Sequence, residues 1–238
     1  MTELDEKVLV ACPTYRGKAY ALEAYIRAFN DFTWPQRSLY MVDNTGDGLK
    51  YFDHLKSLNV DCEHIQPSRD WQETFARSWK KIMRKAVDGK YRWVASIEAD
   101  VICPPLTLDI LMNIAAYCKA LHVAHSYSWH SNQTKCAGAR LIGLGCNLIS
   151  VEILEKLFAR EVWLTDAIES EIYEFPKVLG VPTVEIHNLI DVRHLDDTSA
   201  PGDYIFDRDP IPTFTHGLTV EGKPFEYTNA PPKFDLSV

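Results

Sequence analysis

The sequence predicts an α/β fold in which a mostly parallel sheet is flanked by helices. Short apolar runs typical of buried strands alternate with longer segments whose apolar residues recur at helical spacing. Parallel strands need a crossover connection, which is usually a helix, so this alternation favours a parallel sheet covered on both faces. At 238 residues, 46% of them hydrophobic, the chain is long enough to bury a large core.

The first half of the chain contains four predicted strands separated by three helices. We expect strands at Val8 to Ala11, in SLYMVD, in VDCEHIQP and at Trp93 to Ile97, with helices in AYALEAYIRAFNDF, GLKYFDHLKSL and DWQETFARSWKKIMRKAVDG. The third helix is the clearest, because its apolar residues share one face and Gly89 follows its last turn. The first strand is expected to end at Pro13.

The second half continues the same alternation. It contains a predicted helix in LTLDILMNIAAYCKAL, a strand in HVAHSYSW, a strand or loop followed by a helix in ARLIGLGCNLISVEILEKLFA, a helix in DAIESEIYEFPKVLG and a late strand in PTVEIHNLIDVRHL. Beyond residue 199, Pro, Gly and Asp dominate. Residues 200–238 are therefore expected to form an irregular, extended C-terminal arm.

Charge and hydropathy argue against several classes of partner. The formal net charge is −8, so the whole chain lacks the basic surface that binds nucleic acid or anionic membranes. One local basic patch, Lys80, Lys81, Arg84 and Lys85, is more typical of a solvated helix face. No apolar run approaches the ~20 residues that span a bilayer, and the first residues, MTELDEK, are acidic. We expect a soluble cytoplasmic protein.

The cysteines and histidines give weak signals for metal binding. The six cysteines are widely scattered without a Cys-x-x-Cys pair, which predicts reduced and mostly buried thiols. His122, His125 and His130 lie near one another in sequence, but no thiol or carboxylate accompanies them at close helical spacing. A zinc site is therefore not favoured.

Two acidic residues follow the fourth predicted strand directly. Glu98 and Asp100 are two positions apart, so their side chains share a face of the chain. Carboxylates held this close raise each other's pKa unless a cation lies between them, and Mg²⁺ or Mn²⁺ binds carboxylate oxygen while bridging to phosphates. A capped, solvated strand end is the alternative. Polar residues also follow the first two strands, and ligands of such sheets bind at the carboxyl ends of strands, which favours a nucleotide site.

The order of these motifs resembles GT-A glycosyltransferases, notably family 2, over roughly residues 7–195. Pro13-Thr14-Tyr15 is similar to the segment that contacts the base and ribose in that family, and Asp43 in VDNTGDG to the residue that reads the base. Arg77 in FARSWKKI matches a family Arg, although Ser78 replaces the usual Asn. Glu98-Ala99-Asp100 is similar to the Asp-x-Asp motif that holds the metal and the diphosphate. The resemblance implies a Rossmann-like nucleotide-binding GT-A fold.

The resemblance also assigns roles along the rest of the chain. The metal would be held by Asp100, Glu98 and His194, with Asp100 the firmer ligand. The nucleotide-sugar would be bound by Pro13, Thr14, Tyr15, Arg16, Asp43, Asn44, Arg69, Arg77, Glu98 and Ala99. His187, inside the late strand, is expected to pack rather than to bind. Residues 1–105 would form the nucleotide-sugar half and residues 106–199 the acceptor half of one catalytic domain.

An inverting transferase needs a carboxylate that deprotonates the acceptor hydroxyl. The family's acidic segment is similar to WLTDAIESEIYEFPKVLG, where Asp166 is the first candidate and Glu169 the second, with Glu171 less favoured. The segment LIGLGCNLISVEILEKL resembles the loop and helix that shape the acceptor side. A dinucleotide fingerprint is excluded there, because Leu148 stands where the third glycine belongs. Tyr127, Trp129 and Trp163 could stack on sugar rings or belong to the core.

The predicted function is transfer of a sugar from a nucleotide-sugar, with UDP favoured, to an acceptor hydroxyl, assisted by Mn²⁺ or Mg²⁺. The acceptor could be a glycan, a small molecule, a protein or a hydroxylated base in DNA. A sugar-nucleotide pyrophosphorylase is one alternative, but it needs a Gly-rich basic loop, and CPTYRGKAY offers one glycine beside Arg16 and Lys18. A noncatalytic nucleotide-sugar-binding module is another alternative.

Overall fold

A computed structural model describes residues 6–46, 48–126, 145–158, 181–187, 189–190, 192–195, 218–220 and 223–225. The strands are Val8–Thr14 (β1), Arg37–Asp43 (β2), Cys62–His64 (β3), Trp93–Ile97 (β4), Val101–Ile102 (β5), His122–Ser126 (β6), Cys146–Ser150 (β7), Thr183–His187 (β8), Arg193–His194 (β9), Leu218–Val220 (β10) and Lys223–Phe225 (β11). The α-helices are Leu22–Asp31 (α1), Lys50–Ser57 (α2), Trp71–Asp88 (α3), Thr107–Tyr117 (α4) and Val151–Phe158 (α5), and a 3-10 helix spans Arg16–Ala21.

Nine strands form one sheet in the order β11-β10-β8-β6-β7-β4-β1-β2-β3. The parallel core is β4-β1-β2-β3, in which β1 pairs with β4 on one side and with β2 on the other. Strand β7 runs antiparallel to both β4 and β6, and β10 runs antiparallel to both β8 and β11. The remaining strands share one direction, so the predicted mostly parallel α/β sheet is confirmed.

Alternating residues of β1 pack on opposite faces of the sheet. Val8, Val10 and Cys12 belong to one buried cluster, whereas Leu9 and Ala11 belong to the other. A strand that buries both faces must be apolar at every position, which explains its continuous apolar run. Each fully buried Val or Leu side chain contributes roughly 1.5–3 kcal/mol of transfer free energy. Helices therefore cover this part of the sheet on both sides, as the sequence predicts.

Helix α3 covers one of these faces over the length that the sequence predicts. Trp79, Ile82 and Met83 point into the cluster that contains Leu9 and Ala11. The helix begins after Asp70, whose side chain accepts a hydrogen bond from the Gln72 backbone N–H at 2.9 Å. This bond satisfies one of the amide groups that a helix start leaves without an intrahelical partner.

Strand β1 continues through Pro13 to Thr14, one position beyond the end that the sequence predicts. Its even-numbered residues bond towards β2, as the bond from the Asn44 N–H to the Thr14 carbonyl at 3.0 Å shows. Pro13 therefore faces the other neighbour, β4, which pairs with β1 only as far as Ala11. The missing N–H of Pro13 removes no bond from the sheet, so the strand tolerates the proline.

The predicted late strand is divided between two sheets. Its first part, β8, lies beside β6 in the main sheet, and its second part, β9, pairs antiparallel with β5 in a separate two-stranded ribbon. Within the expected C-terminal arm, β10 and β11 add two three-residue strands beside β8.

Two chemical expectations can be compared with the described residues. Cys12, Cys62, Cys103, Cys118 and Cys146 form no disulfide, and all but Cys118 are buried, which agrees with the prediction of reduced thiols. Cys136 lies outside the described residues. None of the helices in the described part of the chain is both long enough and apolar enough to cross a bilayer.

Candidate active site

The parallel strands β1, β2 and β4 bring their carboxyl ends to one edge of the sheet. Thr14 and Asp43 are neighbours in the register of β1 and β2, and Ser96 of β4 lies opposite Ala11. The segments that follow these strands contain Tyr15, Asn44 and Glu98. The three polar strand ends that the sequence analysis selected are therefore adjacent, at the position where α/β sheets bind ligands.

Two acidic side chains converge just beyond β4. Asp100 is buried, with 4% of its surface exposed, and Glu98 is partly buried. The chain turns tightly between them, because the Val101 N–H donates to the Glu98 carbonyl at 2.9 Å. Ala99 is 1% exposed and belongs to the core, so it anchors this turn while the two carboxylates point to the site.

The Lys18 ammonium lies between these two carboxylates. Its Nζ is 2.8 Å from Asp100 Oδ1 and 3.1 Å from Glu98 Oε2, so it donates a hydrogen bond to each. Burial by itself would lower the pKa of Lys18, but the charges of Glu98 and Asp100 outweigh it and hold the pKa above its usual range. The two acids are thus kept together by an internal cation.

His194 reaches the acids through the β5–β9 ribbon. Val101 pairs with His194, and the Leu195 N–H donates to the Asp100 carbonyl at 2.7 Å. The His194 Nε2 lies 3.7 Å from Asp100 Oδ2. The ribbon explains how a residue about ninety positions later in the chain is fixed beside Asp100.

Tyr20 also contacts the second oxygen of Asp100. Its hydroxyl is 3.4 Å from Asp100 Oδ2 and 3.1 Å from the Leu195 carbonyl oxygen, and it donates to one of them at a time. Burial and the negative charge of Asp100 raise the pKa of Tyr20 to about 12. The hydroxyl therefore remains a hydrogen-bond donor at neutral pH.

Glu98, Asp100 and His194 form a donor set that fits a divalent cation. One ligand atom from each residue lies within 4.8 Å of the other two. Opposite ligands of Mg²⁺ are about 4.2 Å apart, twice a bond of 2.1 Å, so a small closing movement would bring the set to bonding distance. Two carboxylates and an imidazole also suit Mn²⁺. The family resemblance implied these three residues as ligands, and the structure brings them together.

Asp43 organises the loops beyond β1 and β2. Its carboxylate is fully buried, with Oδ1 accepting from the Thr45 N–H at 2.8 Å and Oδ2 lying 2.9 Å from His64 Nδ1. The Thr45 hydroxyl in turn accepts from the Arg16 N–H at 2.8 Å. Asp43 thereby connects the two loops that the resemblance assigns to the nucleotide. Direct contact between Asp43 and a base stays a prediction.

The end of β1 holds a buried residue, Thr14, which is followed by an exposed aromatic ring, Tyr15. Thr14 is buried, and its hydroxyl lies 3.1 Å from the Tyr51 hydroxyl of α2. Tyr15 follows immediately and is 49% exposed. An exposed ring on a rigid strand end can stack on a nucleobase. Pro13 precedes Thr14 within β1.

The two arginines predicted to bind the nucleotide-sugar lie in the loop before α3 and on α3 itself. Arg69 and Arg77 are both exposed, and an Arg77 N–H donates to the Gln66 carbonyl at 3.2 Å. Arg77 therefore fastens the loop before α3. On the same helix, the Ser78 hydroxyl accepts from the Asn44 side chain at 3.3 Å, which joins α3 to the loop after β2.

Several predicted functional residues lie outside the described residues. They are the base candidates Asp166, Glu169 and Glu171 and the aromatic residues Tyr127, Trp129 and Trp163. His130, part of the zinc site that the sequence does not favour, also lies outside them. Sequence reasoning missed three residues at the described site: Lys18, Tyr20 and His64. Lys18 and Tyr20 follow the first strand within a few positions, so that placement was an available signal. His64 ends a strand beside Asp43, but nothing in the sequence singled it out.

No protein-family model and no curated protein matches the sequence. Among solved structures, residues 1–349 of S. aureus TarS superpose with a TM-score of 0.58 at 10% identity, covering 79% of this chain and 60% of that one. The mannosyltransferase PcManGT from Pyrobaculum calidifontis, in complex with GDP-Man and Mn²⁺, gives 0.59 at 16% identity, covering 84% and 59%.

A synthase also has a similar fold. The 4-diphosphocytidyl-2C-methyl-D-erythritol synthase from Anaerococcus prevotii gives a TM-score of 0.52 at 12% identity, covering 79% of this chain and 89% of that one. The chain spans about 60% of the TarS fragment and 59% of PcManGT, so it matches only part of each. At these identities the likeness shows the fold alone. The chain has the GT-A-like glycosyltransferase fold that the resemblance predicted.

Proposed function

We propose that this chain is a metal-dependent glycosyltransferase that moves a sugar from a nucleotide-sugar, preferably a UDP-sugar, to an acceptor hydroxyl. One observation carries the proposal: Glu98, Asp100 and His194 converge at the carboxyl edge of the sheet. The exposed Tyr15 and the loops connected by Asp43 follow the neighbouring strands at the same edge. A diphosphate leaving group needs positive charge, and a donor set of this kind supplies it through a divalent ion.

The proposal gives a role to each described residue of the candidate site. Tyr15 would stack on the base, while Thr14 and Asn44 hold the two loops around the ribose. Asp100, Glu98 and His194 would hold Mn²⁺ or Mg²⁺, which neutralises charge on the departing diphosphate. Arg69 is exposed in the loop before α3, and Arg77 is exposed on α3 itself. Either guanidinium could bind a phosphate through two parallel hydrogen bonds.

The acceptor half of the reaction is proposed on the resemblance alone. An inverting transfer would use Asp166, or alternatively Glu169, as the base that deprotonates the acceptor hydroxyl. The known neighbours support a nucleotide-sugar as donor, because PcManGT is bound to GDP-Man with Mn²⁺ and TarS to UDP. Their acceptors are not transferable to this chain at 16% and 8% identity.

Nucleotidyl transfer is a second candidate, favoured by one observation. Lys18 lies in the loop after β1 and contacts the acidic pair. A pyrophosphorylase also needs a cationic residue in this loop, and the A. prevotii synthase has the same fold. This segment has a single glycine, Gly17, whereas a loop that surrounds a triphosphate uses several glycines to let its backbone N–H groups approach the ligand closely.

A donor screen tests the proposal and separates the two candidates. The full chain is heated with UDP, GDP, CDP and their sugars, with Mn²⁺ or with a chelator, and the shift in Tm is recorded, because a ligand of the folded state raises its stability. Release of nucleoside diphosphate from the sugar donors, with no acceptor added, reports slow hydrolysis. We expect UDP with Mn²⁺ to stabilise the chain and UDP-sugars to be hydrolysed.

The screen has two contrary outcomes. Release of pyrophosphate from a nucleoside triphosphate and a sugar phosphate, without hydrolysis of any nucleotide-sugar, would favour nucleotidyl transfer. Absence of binding and of hydrolysis with every donor, with and without Mn²⁺, contradicts the enzymatic proposal as a whole.

A further inference from the structure

A lysine occupies the position between the two acids where a cation is needed. Lys18 Nζ lies 2.8 Å from Asp100 Oδ1 and 3.1 Å from Glu98 Oε2. The same two carboxylates, together with His194, make up the only cluster of three potential metal ligands within the described residues. An ammonium and a divalent ion thus depend on the same carboxylate charge.

The lysine is held there by local structure. The Lys18 N–H donates to the Tyr15 carbonyl at 2.9 Å, which starts the 3-10 helix directly after β1. Only 19% of the Lys18 side chain is exposed, compared with 6% for Asp100 and 29% for Glu98. Its stem is therefore packed in the site, with the ammonium facing inward rather than towards solvent.

The contacts divide the oxygens of Asp100 between two sides. Lys18 contacts Oδ1, whereas Tyr20 and His194 approach Oδ2 at 3.4 and 3.7 Å. A divalent ion bound by Glu98, Asp100 and His194 would lie close to the ammonium, and two cations this near repel each other strongly in a partly buried site. Lysine has a flexible four-carbon stem, so its ammonium can leave without movement of the backbone.

We propose that Lys18 is a resident cation of this site and that a divalent ion binds Glu98 and Asp100 only by displacing its ammonium. The inference deepens the proposed function, on which it rests for its biological meaning, by assigning a control on metal binding to the same site. Two charged hydrogen bonds, one to each carboxylate, must break before the ion can bind. The metal affinity of the native chain is consequently weakened, by roughly ten- to a hundredfold relative to a chain without this lysine.

The direct test measures Mn²⁺ binding to the full chain without nucleotide, by calorimetry or by the resonance signal of free Mn²⁺. Lys18→Met removes the ammonium but keeps an unbranched stem of similar length, and Lys18→Arg keeps a cation. Lys85→Met is the matched control, because Lys85 also pairs with a carboxylate, Asp61 at 2.7 Å, at the start of β3 and thus at the opposite edge of the sheet. It removes the same unit of net charge.

We expect Lys18→Met to lower the Mn²⁺ dissociation constant by roughly ten- to a hundredfold. Lys18→Arg and Lys85→Met should bind Mn²⁺ about as weakly as the native chain. A dissociation constant for Lys18→Met within about twofold of the native value would overturn the proposal, and so would an equal gain in Lys85→Met. Absence of Mn²⁺ binding in every variant would overturn it too, because the acids would then hold no divalent ion.

A second measurement uses the native chain and does not depend on the folding of a variant. Acetic anhydride acylates free amines, and mass spectrometry measures the labelled fraction of Lys18 and of Lys156, an exposed lysine on α5. Saturating Mn²⁺ should increase labelling of Lys18 several-fold and leave Lys156 unchanged. Equal labelling of Lys18 with and without bound Mn²⁺ would overturn the displacement.

These experiments can fail independently of the proposed function. Both experiments are done without nucleotide. Displacement of Lys18 by Mn²⁺ in a chain that binds no nucleotide-sugar would therefore contradict only the proposed transferase function. Conversely, UDP-sugar hydrolysis with an unchanged Mn²⁺ affinity in Lys18→Met would support the transferase and refute the competition.

Discussion

Replacing Asp100 with Asn should abolish the stabilisation of this chain by Mn²⁺. Asp100 is the most buried of the three candidate ligands, with a side chain 6% exposed, and its carboxylate faces Lys18 on one side and His194 on the other. Mn²⁺ at a hundred times its dissociation constant stabilises a native protein by about 2.7 kcal/mol. For a domain of this size that corresponds to a rise in Tm of roughly 5 to 10 °C. Asp100→Asn should lose nearly all of this rise.

The same substitution should also reduce the free energy of unfolding in the absence of metal, by a smaller amount. It replaces the charged acceptor of the 2.8 Å bond from Lys18 with a neutral amide oxygen, whereas a charged hydrogen bond contributes about 1.5–3 kcal/mol when buried. Lys18 retains Glu98 at 3.1 Å and is partly solvated, so we expect a loss of about 1–2 kcal/mol. Asp61→Asn is the matched control, because Asp61 accepts from Lys85 at 2.7 Å on the surface, where such pairs contribute about 0–1 kcal/mol.

Two assays separate these effects. Urea unfolding with a chelator measures the loss without metal, and thermal unfolding over a Mn²⁺ series measures the loss of metal binding. The Mn²⁺-dependent rise in Tm of Glu98→Gln should lie between those of Asp100→Asn and the control. The reason is that 29% of the Glu98 side chain is exposed, so water can replace it as a ligand. Retention of the full Mn²⁺-dependent rise in Asp100→Asn would refute this assignment of the metal ligands.

Three further predictions concern the elements that support the site. Burial raises the pKa of the Cys12 thiol from 9.0 to about 12, so the folded chain keeps a proton that the unfolded chain loses, and stability falls as pH rises above 9. Between pH 8 and 10 this loss is about 1 kcal/mol, and urea unfolding of Cys12→Ala should show a shallower decline than the native chain rather than an equal one. His64→Leu leaves the buried Asp43 carboxylate without its 2.9 Å partner and should reduce the free energy of unfolding by roughly 1–3 kcal/mol, with His64→Asn losing less. Asp70→Ala removes the cap of α3 and should cost about 1 kcal/mol in thermal unfolding, whereas Asp70→Asn, which can still accept the bond, should cost little. Equal losses in the two variants of either pair would contradict the role of the hydrogen bond.

The main elements of the sheet were predictable because each depends on a local pattern. The helical spacing of Phe75, Trp79, Ile82 and Met83 predicts a helix whatever lies around it, and the structure confirms α3. The direction of a strand, in contrast, does not depend on a local pattern. The apolar run of β7 looks like that of β4, yet β7 is antiparallel to its neighbours. Periodicity contains no direction, so the sequence could not predict this reversal.

The site was partly predictable for a related reason. The rule that ligands bind at the carboxyl ends of parallel strands selected the segments containing Tyr15, Asp43 and Asp100 without knowledge of any contact. The resemblance supplied His194, and the β5–β9 ribbon gives the physical reason for its position. Partners across long separations were not predictable. Lys18 contacts an acid 82 positions away, and a lysine on a polar turn is far more often solvated.

Lys18 alters the meaning of the acid pair. Two adjacent carboxylates imply a cation, but the structure shows that the chain can provide one itself. If the lysine were the only partner of the pair, its two hydrogen bonds would suffice, and nothing would require an imidazole beside the remaining oxygen of Asp100. A separate ribbon nevertheless brings His194 to 3.7 Å from that oxygen. An imidazole nitrogen is an ordinary ligand of Mn²⁺, so its position beside this oxygen fits a bound divalent ion. The combination therefore supports the proposed exchange of two cations, in which Lys18 lies on one side of Asp100 and His194 would help to hold a divalent ion on the other.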